Sequence, residues 1–305
     1  MSLDDVRQAR ARGQARAGRA CQGRGQRWRP ARLDGSAASA EYYRRRRRVF
    51  YAALKHAVRS GSLSANPLDG PIGADWKAPA VAGAVDRRWV PNPAQIRALL
   101  AAIGEVGRSQ GPRLVALFGC MYYAMLRPSE AVSLRLDECQ LPAAGWGVIE
   151  FSEVSSAAGR GWIDDGEVHE ARSPKGGPRN AVRRVPIPPE LVELLRQHAA
   201  VYGIAPDGRL FRTYRGRIYH PSTLWRVLQA AWPLAFDSAQ VTSPLAARPY
   251  DFRHAGISWR LNSGVPGPKV AEWAGHSVEI LYRVYAHCLD GDDPRWYQRM
   301  EETLG

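Results

Sequence analysis

The sequence predicts a mainly α-helical protein that carries a small antiparallel β-sheet, an arrangement of the α+β class. Two observations lead to this prediction. Most of the chain beyond residue 40 consists of segments whose apolar positions recur at the helical period. Two short apolar runs bounded by turn residues, "WGVIEF" and "RRVPIP", are typical of strands. The chain has 305 residues, enough for two domains and a sizeable buried core.

The first helix is expected only after a basic leader. Residues 1–40 lack apolar periodicity, as in "ARARGQARAGRACQGRGQRWRPAR". Such a stretch buries too little apolar surface to offset its ordering entropy, so we predict that it is disordered in isolation. From Glu41 the pattern changes, and "EYYRRRRRVFYAALKHAVRSG" predicts a helix that ends at Gly61. Its expected apolar face consists of Tyr43, Phe50, Leu54 and Val58.

The remaining elements follow in order. After a linker, "NPAQIRALLAAIGEVG" predicts a helix with Asn92 as its N-cap and Pro93 in its first turn. "PRLVALFGCMYYAML" predicts a buried helix because it is apolar almost all round, and "RPSEAVSLRLDEC" predicts a turn and a short helix. An expanded polar segment, residues 155–173, lies between the two strands, and the sequence defines no role for it. "PPELVELLRQHAAVYG" and "HPSTLWRVLQAAW" predict two further helices, and the chain from Asp251 onwards is predicted to be helical.

Positive charge is concentrated near the N-terminus. Of the net charge of +14, residues 1–50 hold +10, from fourteen arginines and four acidic residues. This imbalance predicts a polyanionic partner, above all nucleic acid. For the leader, an arginine-rich codon bias acting on a weakly selected segment explains the composition equally well. An arginine run circles the first helix, so part of it is solvated and part can face a phosphate backbone. These candidate DNA-binding residues are Arg44, Arg45, Arg46, Arg47 and Arg48.

The composition argues against a membrane-spanning or secreted protein. The sequence has no run of eighteen or more apolar residues, and its arginine-rich start lacks the apolar core of a signal peptide. The four cysteines are scattered without the paired spacing of metal ligands. They are Cys21, Cys120, Cys139 and Cys288. We therefore predict a cytoplasmic protein with free thiols and no membrane partner.

Two arginines stand where predicted elements meet. Arg127 in "MLRPSEA" follows the buried helix, and Arg253 in "YDFRHAG" lies at the start of a helix near Asp251. An arginine is rarely fully buried without an anionic partner. At such boundaries two guanidiniums can point into one cleft, where they would donate forked, charge-assisted hydrogen bonds to the non-bridging oxygens of a phosphate.

Five motifs resemble, in order, those of the tyrosine recombinase (phage integrase) family, over roughly residues 41–290. They are "MLRPSEAVSLR" with Arg127 and Glu130, "SPKGGPRNAVRRVPIPPELVELL" with Lys175, "YDFRHAG" with Arg253, "WAGHSVEI" with His276, and "VYAHC" with Tyr285. Each motif alone is weakly specific, whereas five in this order and at these separations are strongly specific. The resemblance implies a site-specific recombinase that cuts double-stranded DNA and rejoins it as a homotetramer.

In such a recombinase, a tyrosine attacks the scissile phosphorus to form a 3′-phosphotyrosine, and a 5′-hydroxyl then reverses the step. The resemblance assigns the nucleophile to Tyr285 and leaves Tyr282, three residues earlier, to packing. Arg127 and Arg253 would neutralise the charge that develops in the transition state. His276 would add a hydrogen bond to the same phosphate.

The resemblance implies supporting roles for two further residues. Lys175, on the β-hairpin, would protonate the leaving 5′-oxygen as general acid. Glu130 would brace the site. Because the arginines supply the positive charge, neither a metal nor another cofactor is implied. Four scattered histidines lack metal-ligand spacing and are interpreted as structural or surface residues; they are His56, His169, His198 and His220.

The chain departs from the family pattern at Tyr250, which stands where the family usually has the first histidine of its second motif. A phenol with an ordinary pKa of about 10 cannot readily accept a proton at neutral pH, so Tyr250 is expected to donate a hydrogen bond to the phosphate. His254 is not adopted as the missing base, because the family often carries that second histidine as well. Cleavage is then expected to be limited by deprotonation of Tyr285.

The second departure lies on the N-terminal side. Family members usually carry a helical core-binding domain, of which only the last helices are recognisable here. The predicted organisation is therefore a leader over 1–40, a core-binding remnant over 41–75, a linker over 76–90 and a catalytic domain over 91–305.

Two other functions stay open. A type IB topoisomerase would use the same site as a monomer that relaxes supercoils. A catalytically weak or inactive DNA-binding remnant of an integrase would account for the shortened N-terminal region and for Tyr250. The presence of all the other site residues favours an enzyme, and the integrase-like motifs favour a recombinase.

Overall fold

A computed structural model shows two compact units, Met1–Ala82 and Gly83–Gly305. The residues that it describes are 40–70, 87–151, 154–157, 169–172, 183–241, 243, 245–286 and 293–304. The basic leader and Lys175 lie outside these residues, as do most of the predicted linker and the middle of the 155–173 segment.

Among its described residues, 40–70, the first unit has a long helix, α1 (Ala40–Arg59), which confirms the helix predicted there. Of its expected apolar face, three residues are half-buried, whereas the Phe50 side chain is 50% exposed. The chain leaving the helix folds back on it, because the Tyr51 hydroxyl donates a hydrogen bond of 2.7 Å to Asp69. Of the arginine run, only Arg47 is partly buried and the other four are exposed.

The second unit is mainly helical within its described ranges. Its helices are α2 (Pro93–Glu105), α3 (Val115–Tyr123), α4 (Pro128–Ser133), α5 (Pro189–Tyr202), α6 (Pro221–Ala235), α7 (Ser238–Val241), α8 (Tyr250–Asn262), α9 (Gly267–Ala274), α10 (Val278–Tyr285) and α11 (Asp293–Leu304). Short 3-10 turns lie at Arg87–Trp89, Pro112–Leu114 and Leu136–Glu138. None of the helices in the described ranges has the length and apolar character needed to cross a bilayer.

A small antiparallel sheet completes the fold and confirms the α+β class. The strands are β1 (Cys139–Gln140), β2 (Gly147–Phe151), β3 (Val154–Ala157), β4 (His169–Arg172) and β5 (Arg183–Ile187). Strands β1, β2 and β5 pair in that order, and β3 pairs with β4 as a separate two-stranded sheet. The sequence pattern predicted β2 and β5. It missed β1, β3 and β4 because two-residue strands and polar strands carry little apolar signal.

The core forms around α3, which is buried almost throughout and packs against α2, α5 and α8. The closest approach is at Gly256 of α8, where an added Cβ would lie 2.0 Å from the carbonyl oxygen of Tyr122. Only glycine fits there, so α8 can lie directly on the end of α3. Arg260, one turn further along α8, donates hydrogen bonds of 2.6 Å to the carbonyl of Tyr123 and 2.7 Å to that of Pro186. This buried guanidinium therefore ties α3, α8 and β5 together.

Helix α2 begins as the sequence predicts. Asn92 accepts a hydrogen bond from the backbone of Gln95, the Gln95 side chain accepts one from the backbone of Asn92, and Pro93 occupies the first helical position. This reciprocal capping box satisfies two amide donors that the helix leaves unpaired.

Candidate active site

Arg127 is placed by the turn that leaves α3. Met125 in this turn has a φ of +54°, which is unusual for a residue other than glycine. Arg127 then caps α4, because its backbone amide donates to Glu130 at 2.8 Å and Pro128 starts the helix. The Arg127 guanidinium donates to the other Glu130 oxygen at 2.6 Å, and its side chain stays 19% exposed. The Glu130 carboxylate therefore holds both the backbone amide and the guanidinium of Arg127, while the Arg127 side chain stays accessible.

Arg253 enters the same place from α8 and is fully buried. Its guanidinium donates hydrogen bonds to the carbonyl oxygens of Met125 and Ala274, and it faces Nε2 of His276 at 2.9 Å. The left-handed turn at Met125 is thus coupled to the orientation of Arg253. Burial first, and then the charge of Arg127, lower the pKa of Arg253. The group stays charged at neutral pH, since an arginine is effectively always protonated.

Glu130 is the counterion of the site. It is 1% exposed and forms ion pairs with Arg127 at 2.6 Å, Arg183 at 2.9 Å and Arg253 at 3.7 Å. Burial alone would raise the pKa of this carboxyl, but Arg183 above all, with Arg253 and Arg127, lowers it to about 2. Three guanidiniums around one carboxylate leave a formal charge of +2. The cluster can therefore attract an anion. We call these four residues the guanidinium cluster.

Arg183 was missed as a site residue. It lies on β5 with its side chain 7% exposed, paired with Glu130 and stacked over the Phe151 ring at 5.1 Å. The pattern does contain a signal, because Arg183, Val185 and Ile187 occupy alternate positions and share the buried face of the strand. A charged residue on such a face indicates a buried counterion. Arg184, on the opposite face, is exposed and pairs with Glu150 at 2.9 Å.

The end of α9 supplies carbonyl acceptors to the cluster. Ala274 accepts from Arg253 and from Arg183, and Gly275 accepts from Arg127 at 2.8 Å. The C-terminal end of a helix carries partial negative charge, which stabilises cations placed there. Gly275 has a φ of +62°, and an added Cβ would lie 2.3 Å from Arg183. The glycine of the "WAGHS" motif is thus required both by backbone conformation and by the approach of an arginine.

Tyr285, at the end of α10, is 1% exposed. Its hydroxyl lies 2.7 Å from Nδ1 of His254, and its ring lies against His276 with centroids 6.3 Å apart. Burial first, and then nearby arginines, lower the pKa of each of these histidines to about 3, so both rings are neutral at pH 7. His254 was set aside in the sequence, yet it is the imidazole that contacts the Tyr285 hydroxyl.

The other two tyrosines differ from Tyr285. Tyr250 lies at the start of α8 with its ring edge-on to His254, at a centroid separation of 4.9 Å. Tyr282 is 47% exposed and lies against Gly267, where an added Cβ would be 2.3 Å from its hydroxyl. The Tyr282 ring therefore packs on the start of α9.

The structure brings together six of the predicted site residues, together with two that were not predicted. The predicted ones are Arg127, Glu130, Tyr250, Arg253, His276 and Tyr285. Lys175 lies outside the described residues, and the arginine run of α1 belongs to the other unit.

Two other described histidines have structural contacts away from this site. His198 is buried, and its Nε2 lies 3.1 Å from the Leu210 carbonyl, while burial lowers its pKa to about 4. His220 caps α6 by accepting from the backbone amide of Ser222. Among the described residues no group of three His, Cys, Asp or Glu side chains is arranged to hold a metal ion.

Comparison with known proteins identifies the family. The model of the phage integrase family matches residues 91–291, about two thirds of the sequence, and the chain belongs to this family. Comparison with curated proteins gave no match.

Two solved structures show the same fold. A Tn1549 transposon integrase in complex with transposon right end DNA is 19% identical, with a TM-score of 0.61 over 88% of this chain and 81% of that chain. The Tn1549 integrase in complex with circular intermediate DNA is 18% identical, with a TM-score of 0.58 over 98% of each chain.

Proposed function

We propose that the protein is a site-specific DNA recombinase that cuts and rejoins double-stranded DNA through a 3′-phosphotyrosine formed on Tyr285. The observation that carries this proposal is a buried tyrosine whose ring lies against His276, which in turn contacts Arg253 of a guanidinium cluster of formal charge +2. Membership of the phage integrase family supports it, and so does the DNA bound in both similar integrase structures.

The guanidinium cluster favours the transition state over the bound substrate. A phosphodiester carries one negative charge, and the pentacoordinate species formed by nucleophilic attack carries close to two. A rigid +2 environment gains more attraction from the second charge, and that difference is what lowers the barrier. Arg127 is the partly exposed member and is placed to donate to the phosphate directly. Arg253, whose nitrogens are held by carbonyls, supplies charge at a fixed position.

His276 is placed to act as a hydrogen-bond donor. Its Nε2 faces a guanidinium that can only donate, so Nε2 is the acceptor and the ring proton lies on Nδ1. That Nδ1 is buried and has no partner among the described residues. A non-bridging phosphate oxygen would satisfy it.

For Lys175 we retain the role of general acid, which its motif supports. If it protonates the leaving 5′-oxygen, Lys175→Ala should cleave normal DNA slowly. Cleavage should recover on DNA whose 5′-bridging oxygen is replaced by sulfur, because a thiolate departs without a proton. Equal slowing on both substrates would assign Lys175 to DNA positioning instead.

The nucleophile is tested with a nicked suicide duplex, selected from a randomised library by covalent capture on the native protein. Tyr285→Phe should abolish the covalent adduct, because the attacking oxygen is removed. Tyr282→Phe is the matched control on the same helix and should retain adduct formation. Adduct formation by Tyr285→Phe would overturn the assignment, and failure of the native protein to capture any duplex would overturn the proposed function.

The assembly is tested on the same DNA. We propose a homotetramer, since recombination exchanges four strands between two duplexes. Sedimentation of the selected DNA with excess protein should reveal four chains per synapsed pair. Relaxation of supercoiled plasmid by monomers, without exchange of strands, would instead identify a type IB topoisomerase.

A further inference from the structure

The proton of the nucleophile needs an acceptor, and the usual histidine of the family is absent at position 250. Two imidazoles lie near Tyr285. They differ in where their lone pairs point, and this difference decides which of them can take the proton.

His276 has no lone pair to offer. Its Nε2 lies 2.9 Å from Arg253, whose guanidinium has only N–H donors. In the neutral ring the proton is then on Nδ1, so both nitrogens are engaged or protonated. His276 can therefore donate to the phosphate, but it cannot receive the proton of Tyr285.

His254 has the opposite arrangement. Its Nδ1 lies 2.7 Å from the Tyr285 hydroxyl, a normal distance for a hydrogen bond with a phenol. Because the ring is neutral, Nδ1 accepts from this hydroxyl when the ring proton is on Nε2. The imidazole is held in place by the Tyr250 ring, which meets it edge-on one helical turn earlier.

We propose that His254 is the catalytic base that accepts the proton of Tyr285, and that Tyr250 positions it. This inference rests on the function proposed above. As the Tyr285 oxygen bonds to phosphorus, its proton passes to Nδ1 of His254. The bond from phosphorus to the 5′-oxygen breaks, and that oxygen takes a proton from the general acid. In the reverse step the 5′-hydroxyl gives its proton back to that general acid as its oxygen bonds to phosphorus. The bond from phosphorus to the Tyr285 oxygen breaks, and His254 returns its proton to that oxygen.

The charges around His254 make its ability to take up a proton depend on whether DNA is bound. On its own helix it is flanked by Tyr250 and Arg253, and Arg248 lies two residues before that helix. From other elements, Tyr285 of α10 contacts it and His276 lies near it. Burial and the two arginines disfavour a positive charge on the His254 ring. The negative charge that develops on a bound phosphate favours a protonated His254 ring and so counteracts both effects. Proton transfer is therefore favoured only when DNA occupies the site, which limits unproductive ionisation of Tyr285.

The test compares two replacements of His254 on the selected suicide duplex. His254→Gln retains an oxygen that can accept a hydrogen bond but cannot take up a proton, and His254→Phe retains only the ring shape. Both variants should form the adduct about 100-fold more slowly at pH 7, the lower end of the usual contribution of a general base. Their rates should then climb about tenfold per pH unit, because attack requires prior ionisation of the phenol. The native rate should be nearly flat between about pH 6 and pH 8.

Two further measurements distinguish a proton-accepting role of His254 from a purely positioning role. Tyr250→Ala removes the ring that holds His254, so it should slow adduct formation at pH 7 and make the rate rise with pH, because the base is no longer fixed beside the Tyr285 hydroxyl. In the free protein, nitrogen-15 spectra of the imidazoles should show His254 neutral at pH 7 and protonated on Nε2, and Tyr285→Phe should shift its Nδ1 signal.

If His254→Gln forms the adduct at the native rate and with a flat pH profile, the assignment of His254 as the base is overturned, and His254 has only a positioning role. A proton on Nδ1 of His254 at pH 7 would also overturn it, even if both variants fail to fold. In either case adduct formation by the native protein through Tyr285 would still stand, so this inference can fail while the proposed function survives.

Discussion

Arginine is used in opposite ways in the two units of this protein. Around Glu130, Arg183 and Arg253 are buried and Arg127 is partly buried, and each is held by a carboxylate or by backbone carbonyls. On α1, four of the five arginines in the run are exposed. Arg46, a member of this run, stacks over Tyr42 at 4.6 Å.

The difference lies in which property of the side chain is used. A buried guanidinium must satisfy its donors inside the protein, so its planar fork and exact position matter, and lysine cannot replace it. An exposed guanidinium is solvated and mobile, so its charge is its main contribution. Position decides function in the guanidinium cluster, whereas we propose that charge decides it on α1.

The largest effect is expected when the buried cluster loses its counterion. Glu130→Gln leaves three guanidiniums without a negative partner and should lower the free energy of unfolding by about 3–5 kcal/mol at pH 7. Urea denaturation measures this. The control is Glu272→Gln, which breaks the exposed pair with Lys269 at 2.9 Å and should change stability by less than about 1 kcal/mol. Equal effects would remove the distinction between buried and exposed arginines.

The same comparison predicts a pH dependence. The folded pKa of Glu130 is about 2, below the ordinary 4.5, so folding favours the ionised carboxylate. Its stabilisation is present above about pH 4.5 and is lost as the pH falls towards 2. The stability gap between the native protein and Glu130→Gln should therefore narrow over this range. A gap that stays constant would show that charge is not what Glu130 contributes.

A smaller effect is expected at the glycine that lies against the cluster. Gly275→Ala places a Cβ against Arg183 and strains a backbone with φ of +62°. Gly107→Ala is matched in conformation, with φ of +63°, but has open space around it. The backbone strain alone costs about 1–2 kcal/mol in both variants. Overpacking should destabilise Gly275→Ala by about 1–3 kcal/mol more and slow adduct formation. Equal losses would show that Arg183 yields freely, so that its position is not constrained.

The smallest effect on stability is expected on α1. Replacing Arg44, Arg45 and Arg48 by Gln should change the free energy of unfolding by no more than about 0.5 kcal/mol. The slope of log affinity for DNA against log salt should flatten by about 0.9 for each phosphate that these side chains no longer neutralise. Replacing the same three residues by Lys retains the charge and should retain the slope. A loss of affinity in the Lys variant would show that α1, like the cluster, depends on guanidinium geometry.

Much of the site can be predicted from the order of motifs. Arg127, Arg253, His276 and Tyr285 each lie in a motif, and the structure brings these residues together. Tyr282 was separated from Tyr285 by motif alone, and its exposed position against Gly267 agrees with packing.

The sequence by itself determined the longer helices, the two principal strands and most residue types of the site, because these depend on local periodicity, capping and motif spacing. Only the tertiary structure decided which of these side chains contact one another. Arg183 reaches Glu130 because β5 lies beside α4 and α9, and His254 reaches Tyr285 because the start of α8 meets the end of α10. A hydrogen bond requires its two atoms to lie within about 3 Å, and that distance is set by the packing of elements far apart in the chain. The direction in which each imidazole turns its lone pair is a property of that packing.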